Sequence, residues 1–418
     1  MGMAEKVSQE TKMPAYLVGG FVRDLILGVK NFDLDITVKG NGLLFANILA
    51  RRLKSELTIH ERFGTATLIL KNGTKIDIAT TRKERYPSCA ALPVVTSGSL
   101  NEDLFRRDFT INALALRITC GQEQQLVDPF GGKDDLDSKR IRILHGLSFQ
   151  DDPTRILRAI RFEQRYNFKI EHKTLKLLKQ AVSLSLLSRP NIHRLRDDLI
   201  LMLKEANPAK QIKRLFSLAG LSFISSSLKP DKSTYDLFKA LGEEISWFRK
   251  VSPGSKKLNL WLIYFFALIK PLGKEKINKL ICRLALQKKE AQEIASYCRV
   301  SKKLIRQLSE KNLCAAQIFF LLKPLSFEAI ILIKATSQNK NLKKHITDFI
   351  SLYKGIKIYV SGKDLQSLGI LPGPVYRKIL AKVLTAKLNG KVATYQDELA
   401  LIKKLTDQKG KRVKNVKT

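Results

Sequence analysis

Apolar positions along this chain follow two periods over the first 145 residues and a single period after that. Runs at 15–18, 34–38, 65–70 and 75–78 are short and rich in β-branched or apolar residues, which predicts strands. Lys71-Asn72-Gly73-Thr74 falls between the last two, and an Asn-Gly pair there predicts a hairpin turn. Helical spacing intervenes at 22–28, stopped by Gly28, and at 42–53. From Asp152 onward the pattern is helical, at 153–166, 173–187, 192–204, 208–218 and further segments to about residue 344, with no fixed-period repeat. A last unit at 357–404 opens on the strand-like 357–360 and is punctuated by Gly369 and Pro372-Gly373-Pro374.

Mixed periods followed by helices alone predict an α+β head over 1–145, then an all-α neck over 146–205, body over 206–345 and tail over 346–418. The length agrees, because 418 residues exceed what one hydrophobic core usually serves. Composition adds a partner. Lys and Arg number 75 against 38 Asp and Glu, a net +37 that opposes compaction unless a polyanion offsets it, so nucleic acid leads over a merely soluble basic protein. Cys89, Cys120, Cys282, Cys298 and Cys314 are scattered singly, which supports neither a zinc site nor a disulfide framework and fits a reducing cytoplasm. The polar MGMAEKVSQETKM lacks a signal-peptide core, and the apolar 258–269 is too short for a bilayer, so no membrane partner is expected and 258–269 reads as a buried helix. The closing DQKGKRVKNVKT is read as an arm that touches phosphate or is disordered.

Candidate chemistry begins with Asp33 and Asp35. One residue apart on a strand, they project from the same face and repel unless a cation lies between them. A hard divalent ion such as Mg²⁺, which takes oxygen ligands and keeps water for a substrate phosphate, is the natural occupant, and a two-metal arrangement then serves nucleotidyl transfer. Upstream, Gly19-Gly20 would let backbone N–H groups approach a triphosphate, and Arg23 would offer its oxygens a charged fork. Asp77 is read as a third carboxylate at the metal or as an ordinary strand-end aspartate. Arg106-Arg107-Asp108 opens the apolar 109–116, which must be buried, and by itself could be a salt-bridged helix start. Asp152 before Pro153 fits a helix cap, and Arg155, Arg158 and Arg161 form one stripe that needs an anion.

These motifs, GGFVRDLILG with FDLDITV, RRDFTINA, DPFGG and DDPTRILRAIRF, resemble those of class II tRNA nucleotidyltransferases and bacterial poly(A) polymerases, within the polymerase-β-like nucleotidyltransferase superfamily. SGKDLQSLGILPGPVYRKIL is similar to the tail of one long branch, so the resemblance covers most of the chain. It implies a polymerase-β-like head and a Mg²⁺-dependent enzyme that joins CTP or ATP to the 3′ end of tRNA, whose acceptor end and elbow the helical part would hold. Carried over residue by residue, Arg107 becomes a phosphate or sugar ligand with Arg106 and Asn112 beside it. Asp152 and Arg155 become readers of the base edge, and Arg158 and Arg161 become phosphate ligands. A carboxylate accepting from an amino group beside a guanidinium donating to a ring acceptor suits cytosine and adenine and mismatches uracil and guanine. The family usually carries Glu where this chain has Asp151. The long polar connection after Asp77, which reads as mobile or disordered, stands where A-adding members have a flexible loop. The 193–199 segment, HRLRDDL, takes the place of a motif that braces the neck. The alternatives are an A-adding enzyme paired with a separate CC-adding one, a poly(A) polymerase, and a non-catalytic RNA-binding protein.

Overall fold

The computed structural model describes residues 2–30, 33–61, 64–119, 125–254 and 258–414, with the side chains from 407 on left undescribed. Two compact units result, Met1–Lys229 and Pro230–Thr418. The first opens with helix α1 (Gly2–Thr11), strand β1 (Ala15–Val18), α2 (Gly20–Ile26), β2 (Leu34–Val38), α3 (Gly42–Leu53), β3 (Glu56–His60), β4 (Thr65–Ile69) and β5 (Lys75–Thr80). It continues through β6 (Arg82–Arg85), β7 (Val94–Ser97), α4 (Leu100–Phe105), β8 (Ala115–Arg117), β9 (Leu126–Val127), α5 (Gly132–Asp137), β10 (Arg140–Ile141) and α6 (Ser148–Asp151). It closes with α7 (Arg155–Tyr166), β11 (Lys169–Ile170), α8 (His172–Ser183), α9 (Ile192–Lys204) and α10 (Pro208–Ala219). This is the expected mixed head followed by helices.

Seven strands form the head sheet in the order β3-β4-β5-β2-β1-β8-β9, in which β2 and β5 alone among the pairs run parallel. The hairpin between β4 and β5 closes as its Asn-Gly predicts, with Gly73 at φ 82° and Leu70 N–H donating to Thr74 O (2.9 Å). α3 packs on β4 and β5 and buries Phe45, Ala46, Leu49 and Ala50, one face of its helical period. Burying Phe45 and Leu49 there contributes about 1.5–3 kcal/mol each. The parallel pairing sets Asp35 of β2 opposite Asp77 of β5.

Several expectations shift. α2 starts at Gly20, not Val22, and Asp33 falls one residue before β2 instead of within it. α7 begins at Arg155, because the Asp152 carboxylate accepts from Thr154 N–H (3.0 Å) and Thr154 Oγ1 (2.7 Å), which closes a turn ahead of the helix where a cap was expected. The polar connection after Asp77 is an ordered antiparallel hairpin, β6 on β7, running from Arg82↔Ser97 to Arg85↔Val94.

The second unit is helical. α11 (Lys232–Val251) and the helix Phe327–Thr336 pack against α12 (Leu260–Ile269), whose residues from Trp261 to Ile269 are all buried, as its apolar run predicts. Among the described residues no single helix is long and apolar enough to cross a membrane. Residues 357–360 are not a strand. The buried Glu398 carboxylate accepts from Tyr359 N–H (2.7 Å) and Val360 N–H (2.9 Å) and pairs with Lys387 (2.7 Å), so a side chain does what a neighbouring strand would have done. The expected terminal arm is helical as far as Lys414.

Candidate active site

Gly19, which links β1 to α2, has φ 70°, a region that costs any residue with a side chain. A Cβ here would also crowd Arg107, whose Nη1 lies 2.6 Å from where it would sit, so the guanidinium would have to shift. The glycine therefore lets a guanidinium and a carboxylate converge above bare backbone. The N–H of Gly19 donates to Leu114 O (3.2 Å), so it is not the phosphate-binding amide its motif suggests.

Around this point opens a cavity of about 670 Å³. Of the residues expected from sequence, Gly19, Gly20, Arg23, Asp33, Asp35, Arg106, Arg107, Asn112, Asp152, Arg155, Arg158 and Arg161 all line it. Asp77 does not. Its Oδ1 accepts from Thr67 Oγ1 (2.6 Å) and its Oδ2 pairs with Lys75 (2.5 Å), on the strand beside Asp35. Burial pushes the Asp35 carboxyl up, Arg107 pulls against that, and the carboxylates of Asp77 and Asp33 add to it. A carboxylate strained in this way is relieved by a cation. Among the described residues no three His, Cys, Asp or Glu side chains converge on one point. Asp33 and Asp35 are the residues that would hold an ion here, and their oxygen donors fit a hard divalent cation.

The opposite wall is a fan of arginines from α7 and α2 laid over Phe162. Its ring centroid lies 5.2 Å from Arg23, 5.7 Å from Arg158 and 4.8 Å from Arg161. Each has a partner behind it. Arg23, 5% exposed, donates to Asp24 (2.8 Å) and Asn112 Oδ1 (2.6 Å), and Tyr166 donates to the same Asp24 carboxylate (2.9 Å). Asn112 donates onward to Asp108 Oδ1 (2.8 Å), and Arg158 grips Asp108 Oδ2 through Nε (2.8 Å) and Nη2 (2.5 Å). Although burial opposes it, Arg158 and the Asn112 bond hold the Asp108 carboxyl down at about 2. Asp108 gives this fan its geometry, and it was legible only as part of a motif. The stripe was expected to need an anion, and two of its arginines have internal ones: Arg158 has Asp108, and Arg161 meets Glu205 at 3.6 Å.

Arg155 donates to Ser148 Oγ (2.6 Å) and Arg106 O (2.8 Å), which fixes its plane between two protein acceptors. Asp152 takes its bonds from Thr154 and its ion pair with Arg194 (2.8 Å) on Oδ1, and the residue lines the cavity. Arg194, from the segment expected to brace the neck, also donates to Ala90 O (3.4 Å) at the tip of the β6–β7 hairpin. Near the hairpin's base Glu84 pairs with Arg106 (2.9 Å), and Glu84 and Tyr86 join the cavity wall. Asp151 does not line the cavity and lies 3.8 Å from His145. Asp198 on α9 was missed. It faces Arg158 and Arg161, and burial pushes its carboxyl up to about 6 against their pull.

A mixed sheet bearing a carboxylate pair and a helix of arginines across one cavity defines a nucleotidyltransferase-type head, and residues 15–142 match the model of the Poly A polymerase head domain. The chain is 38% identical over 96% of its length to the A-adding tRNA nucleotidyltransferase of Geobacter sulfurreducens, spanning 46% of that protein. It is 30% identical over 97% of its length to the A-adding tRNA nucleotidyltransferase of Halalkalibacterium halodurans, spanning 91% of it. The Thermotoga maritima CCA-adding enzyme complexed with tRNA superposes with a TM-score of 0.68 at 36% identity, over 96% of this chain and 93% of that one. The chain belongs to the tRNA nucleotidyltransferase family. It spans about half the length of the Geobacter relative and nearly all of the Halalkalibacterium one.

Proposed function

We propose that this protein is a template-independent RNA nucleotidyltransferase that builds the CCA end of tRNA, or its terminal A, from CTP and ATP with release of pyrophosphate. The observation that carries the reading is the single cavity in which Asp33 and Asp35 face Arg107, Arg155, Arg158 and Arg161 across a space of about 670 Å³, within the 300–1,000 Å³ range of a nucleotide-sized site. Asp33 and Asp35 would hold Mg²⁺, with Asp77 as a charged neighbour, and the ion would supply activation of the RNA 3′ hydroxyl and charge neutralisation at the leaving pyrophosphate. Arg107, over Gly19, orients the sugar and α-phosphate, with Gly20 and Arg23 as the floor beneath them. Arg158 and Arg161 receive the outer phosphates. The Asp152 carboxylate accepts from the exocyclic amino group of cytosine or adenine while Arg155 donates to the neighbouring ring acceptor, and uracil and guanine lack that pair. The +37 charge and the helical unit serve the tRNA acceptor end and elbow through phosphate contacts.

A second reading, addition of A alone beside a separate CC-adding enzyme, is supported by the names of the Geobacter and Halalkalibacterium relatives. One experiment covers both. Purified protein is incubated with tRNA transcripts ending before CCA, after C and after CC, with each nucleotide alone and with CTP and ATP together, and the 3′ ends are sequenced. Extension of all three to CCA supports the first reading, and extension of the CC transcript alone by one A supports the second. Long A tails, or no incorporation, refute both.

A further inference from the structure

Most acids on the cavity wall already have a basic partner. Asp24 has Arg23, Glu84 has Arg106, Asp108 has Arg158 and Asp152 has Arg194. Asp33 and Asp35 belong to the carboxylate pair. Asp198 is different: it is 8% exposed, lines the cavity, and among the described residues has neither a hydrogen-bond donor nor a cationic nitrogen within ion-pair distance of its carboxylate. The charged groups facing it are Arg158 and Arg161 of α7, Asp152 just before α7, and Asp108 beyond. Those two arginines are also the ones assigned to the outer phosphates. A polyphosphate docked on them brings several negative charges toward a buried carboxylate that has no donor of its own.

We infer that Asp198 takes up a proton from solvent when the nucleoside triphosphate docks, and as a neutral acid donates its O–H to a phosphate oxygen. No bond in the nucleotide changes; one proton moves from water to the Asp198 carboxylate. The free carboxyl, at about 6, is charged at neutral pH, and the incoming charge raises its affinity for a proton further. Asp198 thereby sets how the affinity for polyphosphate depends on pH, a role for α9 beyond bracing the neck. This inference rests on the proposed nucleotide reading of the cavity.

The test is calorimetric titration of the full-length protein with ATP at about pH 7.5, in two buffers of different ionisation enthalpy. Binding should take up close to one proton in the wild type and close to none in Asp198→Asn, whose amide offers the same donor without titrating. Between about pH 7 and about pH 8 the wild-type dissociation constant should rise toward tenfold, while that of Asp198→Asn stays flat. Saturable wild-type binding with no proton uptake, or uptake undiminished in Asp198→Asn, overturns the inference and leaves the nucleotide reading standing. So does weaker binding by Asp198→Asn without any wild-type uptake, the signature of a charged carboxylate accepting from a base or ribose. No ATP binding at all overturns the nucleotide reading itself. The wild-type buffer comparison needs no variant, so a misfolded variant does not spare the inference.

Discussion

Replacing Asp108 by Asn should loosen the arginine fan and the joint between the head sheet and α7 together. In the native protein Asp108 Oδ2 receives Nε and Nη2 of Arg158, and Oδ1 receives Asn112 and the N–H of Phe109 at 2.9 Å. Its folded pKa of about 2 lies below the ordinary 3.8, a gap worth about 2.5 kcal/mol at neutral pH. Breaking one side of a buried ion pair costs about 3–5 kcal/mol, because the partner left behind is buried and unpaired. Taking about 3 kcal/mol, and the about 2–4 °C per kcal/mol that suits a unit of this size, the melting midpoint of the Met1–Lys229 unit should fall by roughly 6–12 °C. The pH dependence has a definite sign. Because the folded pKa is depressed, the contribution is fully present above about pH 4 and is lost as pH falls through about 2. Thermal denaturation of wild type and Asp108→Asn at neutral pH and down to about pH 2 would measure both. The difference between the two proteins should shrink steadily over that acid range. A variant that melts within about 1 °C of wild type at neutral pH, or a difference that persists undiminished at about pH 2, would refute the reasoning.

Asp35→Asn should abolish nucleotide incorporation while tRNA binding, followed by gel shift, stays within about twofold, since the carboxylate is assigned to the metal; normal incorporation would remove that assignment. Gly19→Ala combines a strained φ, costing about 1–2 kcal/mol, with a methyl pressed against Arg107. It should lower kcat by at least about tenfold and the melting midpoint by about 2–8 °C, and near-normal turnover would mean that Arg107 is free to move aside. Arg155→Ala should relax discrimination against UTP and GTP more than it slows ATP incorporation, as measured by competing pairs of nucleotides, and unchanged discrimination would overturn the templating role.

The local sequence determined much of the framework. Helical and strand periods set α3, α9, β1 and β2 at the residues their patterns predict, and the Asn-Gly turn set the β4–β5 hairpin. The glycine pair, the neighbouring aspartates and the arginine stripe were legible because each motif lies within a few residues of chain. The β6–β7 hairpin was not, since strands such as RKER and VVTS have no buried face to show an alternating pattern. Nor was the 357–360 segment, whose N–H groups are satisfied by Glu398 from a helix beyond it.

What only the tertiary structure decided is the partner of each charge. Arg23 and Asn112 lie 89 residues apart, Arg158 and Asp108 lie 50 apart, and Tyr166 meets Asp24 across 142. The sequence marks which positions carry charge. Whether an arginine waits for a phosphate, grips an internal aspartate, or leaves a carboxylate such as Asp198 without a donor depends on distances set by the packing of α7 and α9 against the sheet. A hydrogen bond or a close ion pair needs its two partners within a few ångströms, and separation along the chain carries no information about that distance.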